Sequence, residues 1–361
     1  MNINPIISVV VCIFNGHKTL KLALESLIKQ KYPNSNYEIV LVDDGSDDCS
    51  KEICENFIFE NQKNELKITY VYQENSGLSS ARNTGIDIAK GKIVAFIDQD
   101  AVADKNWIFN IEKAFSDEII GGVGGRLKLL NDHSKVAKFI NIVRFHQMFG
   151  PSEYMNDVIG TNMAYNRSVF YKIGGFYDIM KYRGDETNYI VKLKQFYKIS
   201  YATSAIVYHP REESFLKWLK NEYIESMLAP TILKVPNTYF KKFKIHAILI
   251  EQLLIAFTPL WIILFLFTTK FSTIFLTLAL IGSIRIFRRH FLKNSAYEIR
   301  NRLKAKLGLR FCGTIFFITE SIKNFVKGIG LIHGIIKFLF SKEFSNTIPN
   351  TKKVRYSITN L

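Results

Sequence analysis

Lys92-Ile93-Val94-Ala95-Phe96-Ile97-Asp98-Gln99-Asp100 decides how the rest of the chain is read. The run is short, apolar, rich in β-branched and aromatic residues, and ends abruptly in two carboxylates one residue apart. It predicts a buried parallel strand whose C-terminal end holds the charges. In open α/β sheets that end is where ligands sit. Two carboxylates this close repel each other, and a divalent cation, Mg²⁺ or Mn²⁺, is one way to keep both ionised. The plainer alternative has Asp98 capping a helix over 104–116 and Asp100 solvated. The nonapeptide alone leaves both open.

Working back towards the N-terminus, residues 6–13 read as a second fully buried strand, and Asn15-Gly16 turns it into an amphipathic helix over about 17–30. Residues 37–42 form another strand that runs straight into Asp43-Asp44-Gly45-Ser46. A third strand (68–72), a polar loop (73–80) and a helix (79–89) lead to the opening stretch. Strands alternating with helices imply right-handed βαβ units and a mostly parallel sheet. Arg82 falls in the first turn of a helix, where a guanidinium can pair with diphosphate oxygens. It can equally bridge to Asp43 or Asp44 and hold the loop.

Towards the C-terminus the strand over residues 119–127 is loaded with glycine, which marks a bulge or a close approach. It lacks the Lys-Ser/Thr of a nucleoside-triphosphate loop. Residues 130–157 are polar and mixed, and read as a mobile loop on the acceptor side. A strand over 160–165, a short helix over 168–173, and Gly174-Gly175-Phe176 follow, the last predicting a turn that sets an aromatic ring into a pocket. Asp185-Glu186 open a helix, and residues 200–208 form a strand ending in His209. Acids at a helix start are ordinarily caps, and a lone His at a strand end is ordinarily structural.

The chain has 361 residues and a formal net charge of +16, distributed unevenly. Composition is globular to about residue 240. Residues 245–269 then carry no Lys or Arg and one acid, Glu251, a run long enough to cross a hydrocarbon core of about 30 Å. A second apolar segment covers 271–287. Residues 285–310 hold nine basic side chains against one acid, and beside apolar segments such a run points to an anionic membrane surface and not to nucleic acid. Residues 311–340 are apolar with three lysines, an interfacial helix or a further span. Cys12, Cys49, Cys54 and Cys312 lack metal-ligand spacing and read as reduced thiols. The apolar run at 6–13 lacks the basic flank of a signal peptide and reads as a strand.

Taken together, these pieces resemble the family-2 glycosyltransferases, inverting nucleotide-sugar transferases of the GT-A fold. The resemblance is carried by Ser8-Val-Val-Val-Cys-Ile-Phe-Asn15, Val42-Asp-Asp-Gly-Ser46, Asn75-Ser-Gly-Leu-Ser-Ser-Ala-Arg82-Asn83-Thr-Gly85, Phe96-Ile-Asp98-Gln-Asp100, Gly160-Thr-Asn162, Gly174-Gly175-Phe176 and Gly184-Asp185-Glu186. They stand in the family's order and spacing across about residues 5–230. The resemblance implies a GT-A domain over 1–230, a Rossmann-like sheet flanked by helices, and a membrane-associated helical region over 231–361. It implies that Asn15, Asp43 and Asp44 lie against the nucleotide sugar, that Arg82 faces base or diphosphate, that Asp98 meets the ribose and metal, and that Asp100 and His209 join in holding the metal.

The late acid motif departs from the family's usual Glu-Asp. By position Glu186 inherits the catalytic-base role, with Asp185 the alternative. No Gln-x-x-Arg-Trp follows, so single-sugar transfer is expected rather than processive synthesis. The chemistry agrees: a departing diphosphate needs its charge neutralised, and an attacking hydroxyl needs a base on the opposite face of the sugar. The expected partners are a nucleotide-diphosphate sugar, a lipid-linked or envelope glycan acceptor and a membrane. The expected location is the inner membrane, with the catalytic domain on its cytoplasmic side. The alternatives are a nucleotidyltransferase on a related sheet and a membrane protein that binds nucleotide sugars without catalysis.

Overall fold

A computed structural model describes residues 6–145, 159–178, 185–228, 230, 253, 257, 274, 276–278, 280–282, 303–305 and 312–340. The chain divides into two compact units: one of residues 1–131, 148–210 and 349–361, the other of residues 132–147 and 211–348.

The first unit is built on one eight-stranded sheet. Its strands are β1 (Ile7–Ile13), β2 (Tyr37–Asp43), β3 (Lys67–Tyr72), β4 (Ile93–Asp98), β5 (Val102–Ala103), β6 (Ile120–Leu129), β7 (Asn162–Asn166) and β8 (Lys198–His209), and they lie in the order β3-β2-β1-β4-β7-β6-β8-β5. The first four strands named in that order are parallel, as the alternation of strand and helix predicts. Register does the work of bringing acids together. Ile13 pairs with Asp43, and Cys12 pairs with both Val42 and Asp98, so the strand ends that carry Asp43 and Asp98 lie level across β1. The strand order reverses at β1, between β2 and β4, the kind of switch point where a crevice forms.

The sheet departs from a mostly parallel plan at β7, which is antiparallel to both β4 and β6. Asn162 at its start lies opposite Ile97. The reversal therefore delivers Gly160 and Thr161 to the end of the sheet where Asp98 sits. Because β6 runs against β7, and β8 runs parallel to β6, β8 points the same way as β4. Its last residue, His209, arrives at the same edge. An all-parallel sheet would have sent the entry to β7 to the far end.

Helices α1 (Leu20–Ile28), α2 (Ser50–Glu60), α3 (Leu78–Ile88), α4 (Trp107–Lys113), α5 (Lys135–Phe145), α6 (Arg167–Ile173) and α7 (Asp185–Leu193) fill the connections. α1, α3 and α6 match the expected helices. α2 has no counterpart in the sequence reading, since only Ser50, Cys54 and Phe57 of its residues are buried and the apolar stripe is thin. α4 is shorter than the 104–116 expected. α5 corrects the reading of residues 130–157 as loop: Val136, Phe139, Ile140 and Val143 make a helical stripe that the intervening polar residues obscured. Residues 146–158 and 179–184 lie outside the described residues.

Phe176 does turn into a pocket. It is 4 % exposed and joins Phe96, Tyr165, Phe170 and Tyr189 in the main core, with its ring centroid 4.7 Å from that of Tyr189. Asn83 on α3 holds the turn that presents it, accepting from the Phe176 N–H and donating to the Phe176 carbonyl, both at 2.9 Å.

The glycines of β6 answer to close approach. Asn162 donates to the carbonyls of Arg126 and Ala205 at 3.1 and 2.9 Å, and accepts from the Trp107 indole at 2.9 Å. Its amide lies flat on Gly125, where a Cβ would come within 2.3 Å of it. Gly125→Ala is expected to displace that amide and cost about 1–3 kcal/mol through buried groups left unpaired. Urea unfolding checks this, and an unchanged midpoint would show that Asn162 has room to move.

The second unit packs α5 with α8 (Phe215–Leu228) and α9 (Cys312–Phe340). Phe139, Ile140, Trp218, Leu219 and Leu303 form its core. The Trp218 indole donates to Glu222 at 3.1 Å, and Lys327 lies 3.3 Å from the other oxygen of that carboxylate. Among the described residues no helix is long and apolar enough by average hydropathy to cross a membrane. Most of the apolar runs 245–269 and 271–287, and of the basic run 285–310, lies outside the described residues.

Candidate active site

Asp98 ends β4, Asp100 follows two residues on, and His209 ends β8; one ligand atom from each lies within 4.8 Å of the other two. The His209 Nε2 stands 3.3 Å from Asp100 and 3.8 Å from Asp98. Its Nδ1 lies 2.6 Å from the Pro210 carbonyl, an atom that only accepts, so Nδ1 carries the proton. Nε2 is then the ring nitrogen turned to the two carboxylates, the arrangement by which a second hydrogen bond orients a metal-binding imidazole. The Thr161 hydroxyl donates at 2.5 Å to Asp98 Oδ2, the same oxygen that faces His209, while Oδ1 faces Arg82. Two hard oxygens and one imidazole, all half-buried, fit a divalent cation such as Mn²⁺ or Mg²⁺. The alternative in which Asp98 simply caps the next helix is not what the structure has: α4 begins nine residues later, after Asn106.

Arg82 is the hub of the other acids. Its side chain is 4 % exposed and donates to Asp185 at 2.5 Å, with Glu186 at 3.9 Å and Asp98 at 3.8 Å. The guanidinium also lies over the Phe176 ring, 5.7 Å from its centroid. Burial disfavours its charge, but Asp185, Glu186 and Asp98 more than offset that, and its pKa ends above the ordinary arginine value. Gly160 makes room for it, since a Cβ there would stand 2.6 Å from a guanidinium nitrogen. The possible bridge from Arg82 to Asp43 or Asp44 is not formed. The guanidinium is turned to acids supplied by β4 and α7.

The acids at the start of α7 are held differently from each other. Asp185 is fully buried against Arg82, and its second oxygen, Oδ1, has no hydrogen-bonding donor among the described residues. Glu186 keeps 22 % of its side chain open and lies at the rim of Arg82's reach. Its carboxyl is pushed up to about 8, first by burial and then by the neighbouring charge of Asp185, with Arg82 pulling the other way. Cys12, under the same cluster, has its thiol pushed up to about 12, chiefly by burial, and stays neutral. A thiol so held does not serve as a nucleophile.

Asp43 and Asp44 work as braces. Asp43 accepts from the Ser46 N–H and the Tyr70 hydroxyl, both at 2.9 Å. Asp44 accepts from Gln73 at 2.7 Å and from the backbone of Ser76 and Gly77 at 2.9 and 2.8 Å. Together they fix the loop that leads into α3. Asn15, with φ +50°, accepts from the Asp47 N–H at 3.0 Å, and its own N–H donates to Ser46 at 3.0 Å. Gln99, between the two metal-type acids, clasps the Phe14 backbone through both its amide groups, at 3.0 and 2.9 Å. The loops after β1, β2 and β4 are thereby tied to one another.

Residues 8–174 match the sequence profile of glycosyl transferase family 2. This chain carries a family 2 glycosyltransferase domain. The glycosyltransferase GlyG of Streptococcus pneumoniae serotype 4 is 39 % identical over 123 residues, 33 % of this chain and 39 % of that protein. The minor teichoic acid biosynthesis protein GgaA of Bacillus subtilis is 27 % identical over 212 residues, 53 % of this chain and 46 % of that one. The matched stretches thus span less than half the length of either relative. Among solved structures, the mannosyltransferase PcManGT of Pyrobaculum calidifontis, in complex with GDP-Man and Mn²⁺, superposes with a TM-score of 0.56 at 16 % identity, covering 94 % of this chain and 88 % of that one. That likeness carries the fold, which is the GT-A type expected from the sequence.

In this glycosyltransferase domain the structure gathers Asp98, Asp100 and His209 into one cluster, and Arg82, Asp185 and Glu186 into a second that touches the first through Asp98. It places Asn15, Asp43 and Asp44 in the tied loops beside them. Sequence reasoning missed Thr161, Asn83 and Gln99 as supports. The one available signal was that each stands inside a quoted motif, Asn83 and Gln99 directly beside a residue with an assigned role.

Proposed function

We propose that the chain is an inverting, non-processive glycosyltransferase that moves one sugar from a nucleotide-diphosphate sugar to a hydroxyl of a lipid-linked glycan or envelope polysaccharide precursor. The observation that carries this reading is the linkage of two chemically different acid sets by one guanidinium: a set with a histidine suited to a cation, and a pair holding a raised, partly open carboxyl.

A divalent cation, when bound, neutralises charge gathering on the departing diphosphate. Asp98, Asp100 and His209 would hold it. Glu186 takes the proton of the acceptor hydroxyl as the oxygen bonds to the anomeric carbon, and the bond from that carbon to the diphosphate oxygen breaks with its electron pair leaving on the diphosphate. Direct displacement of this kind inverts the anomeric configuration. Asp185 pairs with Arg82 and fixes the start of α7, so that Glu186 is presented from a rigid helix end. The tied loops of Asn15, Asp43 and Asp44 make the wall for the nucleoside.

The acceptor class and location rest on sequence and on kinship. The run at 245–269 and the basic run at 285–310 suit a chain held at the cytoplasmic face of an inner membrane, and a relative takes part in teichoic acid biosynthesis. Nucleotide-sugar donors accord with the GDP-Man bound by the Pyrobaculum enzyme.

Asp100→Asn tests the metal set. Calorimetry of nucleoside diphosphate binding with and without Mn²⁺ is expected to show the metal-dependent affinity lowered by at least about 10–100-fold, the range seen even for outer-sphere partners, with the melting temperature unchanged. Undiminished metal dependence would remove Asp100 from the site. Binding of donor with no transfer to any acceptor, in the unsubstituted protein, would favour a non-catalytic binding protein.

A further inference from the structure

Helix α9 is built inside out. Ile318, Ile322, Phe325, Ile329, Ile332 and Ile336, at alternating steps of four and three, are each 40–52 % exposed. The face turned inward carries the polar groups: Thr319, Glu320 and Asn324 are buried, Lys323 pairs with Glu320, and Lys327 pairs with Glu222 of α8. Water would favour the opposite arrangement, because burying charges is costly and exposing isoleucine gains nothing.

Of the three lysines of α9, Lys323 and Lys327 are thus paired inside the second unit, Lys337 is exposed near the C-terminal end of the helix, and none stands in the stripe itself. Ionisable residues within a bilayer take this position, facing protein and neutralising one another. A coiled coil with a soluble partner would place its polar positions outward on either side of the stripe. Here Lys327 is spent on Glu222 of α8, and Lys323 on Glu320 of its own helix. From 318 to 336 the helix rises about 27 Å, close to the hydrocarbon thickness of about 30 Å. One described residue of the apolar run at 245–269 touches the stripe: the Phe257 ring centroid lies 5.8 Å from that of Phe325. Ile274, Leu276, Leu280 and Ile281, from the second apolar segment, are exposed as well.

We infer that the Ile318–Ile336 stripe of α9 faces the acyl chains of a bilayer. For its occupant this rests on the membrane reading above, and the exposures and ion pairs of α9 add which face of the helix meets the lipid. The test places a tryptophan on the stripe of the full chain, as Ile329→Trp and separately Ile322→Trp, in vesicles of phosphatidylethanolamine and phosphatidylglycerol with or without brominated acyl chains. Phe59→Trp, at a position 73 % exposed on α2, is the reference, and the emission of the unsubstituted protein is subtracted. The added emission of both stripe variants is expected to be mostly lost in brominated lipid, and that of the reference retained. Emission at the water-exposed wavelength without quenching would overturn the inference, as would blue-shifted but unquenched emission, the mark of a protein partner or a second copy. Manganese-dependent nucleoside diphosphate binding by the same variants reports on the transferase reading separately: its absence with quenching intact would count against the enzyme and leave the stripe where it is.

Discussion

Glu186→Gln is expected to lower turnover by about 10²–10⁴-fold, the usual contribution of a general base, while donor binding and melting temperature stay near those of the unsubstituted protein. The amide keeps the size of the side chain and removes its basicity. Because Glu186 is partly open and 3.9 Å from Arg82, little of the fold depends on its charge. The pH profile gives a second reading of the same group. Only the ionised form accepts a proton, and its carboxyl is raised to about 8, so the rate should climb about tenfold per pH unit below that value and level off above it. The stability effect has the opposite sense. A carboxyl that holds its proton more tightly in the folded state than in the unfolded one costs stability as pH rises from the ordinary carboxylate range through about 8. Normal turnover in Glu186→Gln would take the base away from this helix, and a rate profile flat from pH 6 to pH 9 would remove Glu186 as the titrating group.

Arg82→Met is expected to cost about 3–5 kcal/mol, because it leaves the buried carboxylate of Asp185 without its partner. Asp185→Asn should destabilise for the mirror reason, and the double variant should lose less than the two single losses added together, since the pair is removed as a unit. Arg82 also pulls the Glu186 carboxyl downward. Any activity left in Arg82→Met should therefore level off at higher pH than in the unsubstituted protein. A helix cap alone would move stability and leave the pH profile in place. A loss below about 1 kcal/mol with an unmoved profile would show that the cluster is screened by solvent.

The strands and the acids at their ends were legible because burial writes itself in continuous apolar runs, and Asp-x-Asp at the end of one is conspicuous. Glu186 was found through its place in a motif. The partner of Arg82 was not legible: Asp185 lies 103 residues away, and nothing local to residue 82 says which acid comes back to it. The direction of β7 was hidden as well. A five-residue strand reads the same forwards and backwards, and only the pairing of Asn162 with Ile97 reveals that it enters beside Asp98. In the second unit the lysines of α9, counted along the chain, left an interfacial helix and a further span both open, because the pairing of Lys323 with Glu320 and of Lys327 with Glu222 is a property of packing and not of composition.

Asn162 sets a condition on how the sheet comes apart. Its amide bridges the backbone of β6 and β8 and the indole of α4, so none of these can leave without stranding polar groups in the interior. Native-state hydrogen exchange should accordingly find the amides of β6, β7 and β8 opening together, at one shared free energy, as a single cooperative block. The block includes the strand that ends in His209 and the strand entered through Thr161. The histidine and the hydroxyl that orient the metal acids would then be lost and regained in the same event, and partly opened forms of the protein would lack both at once.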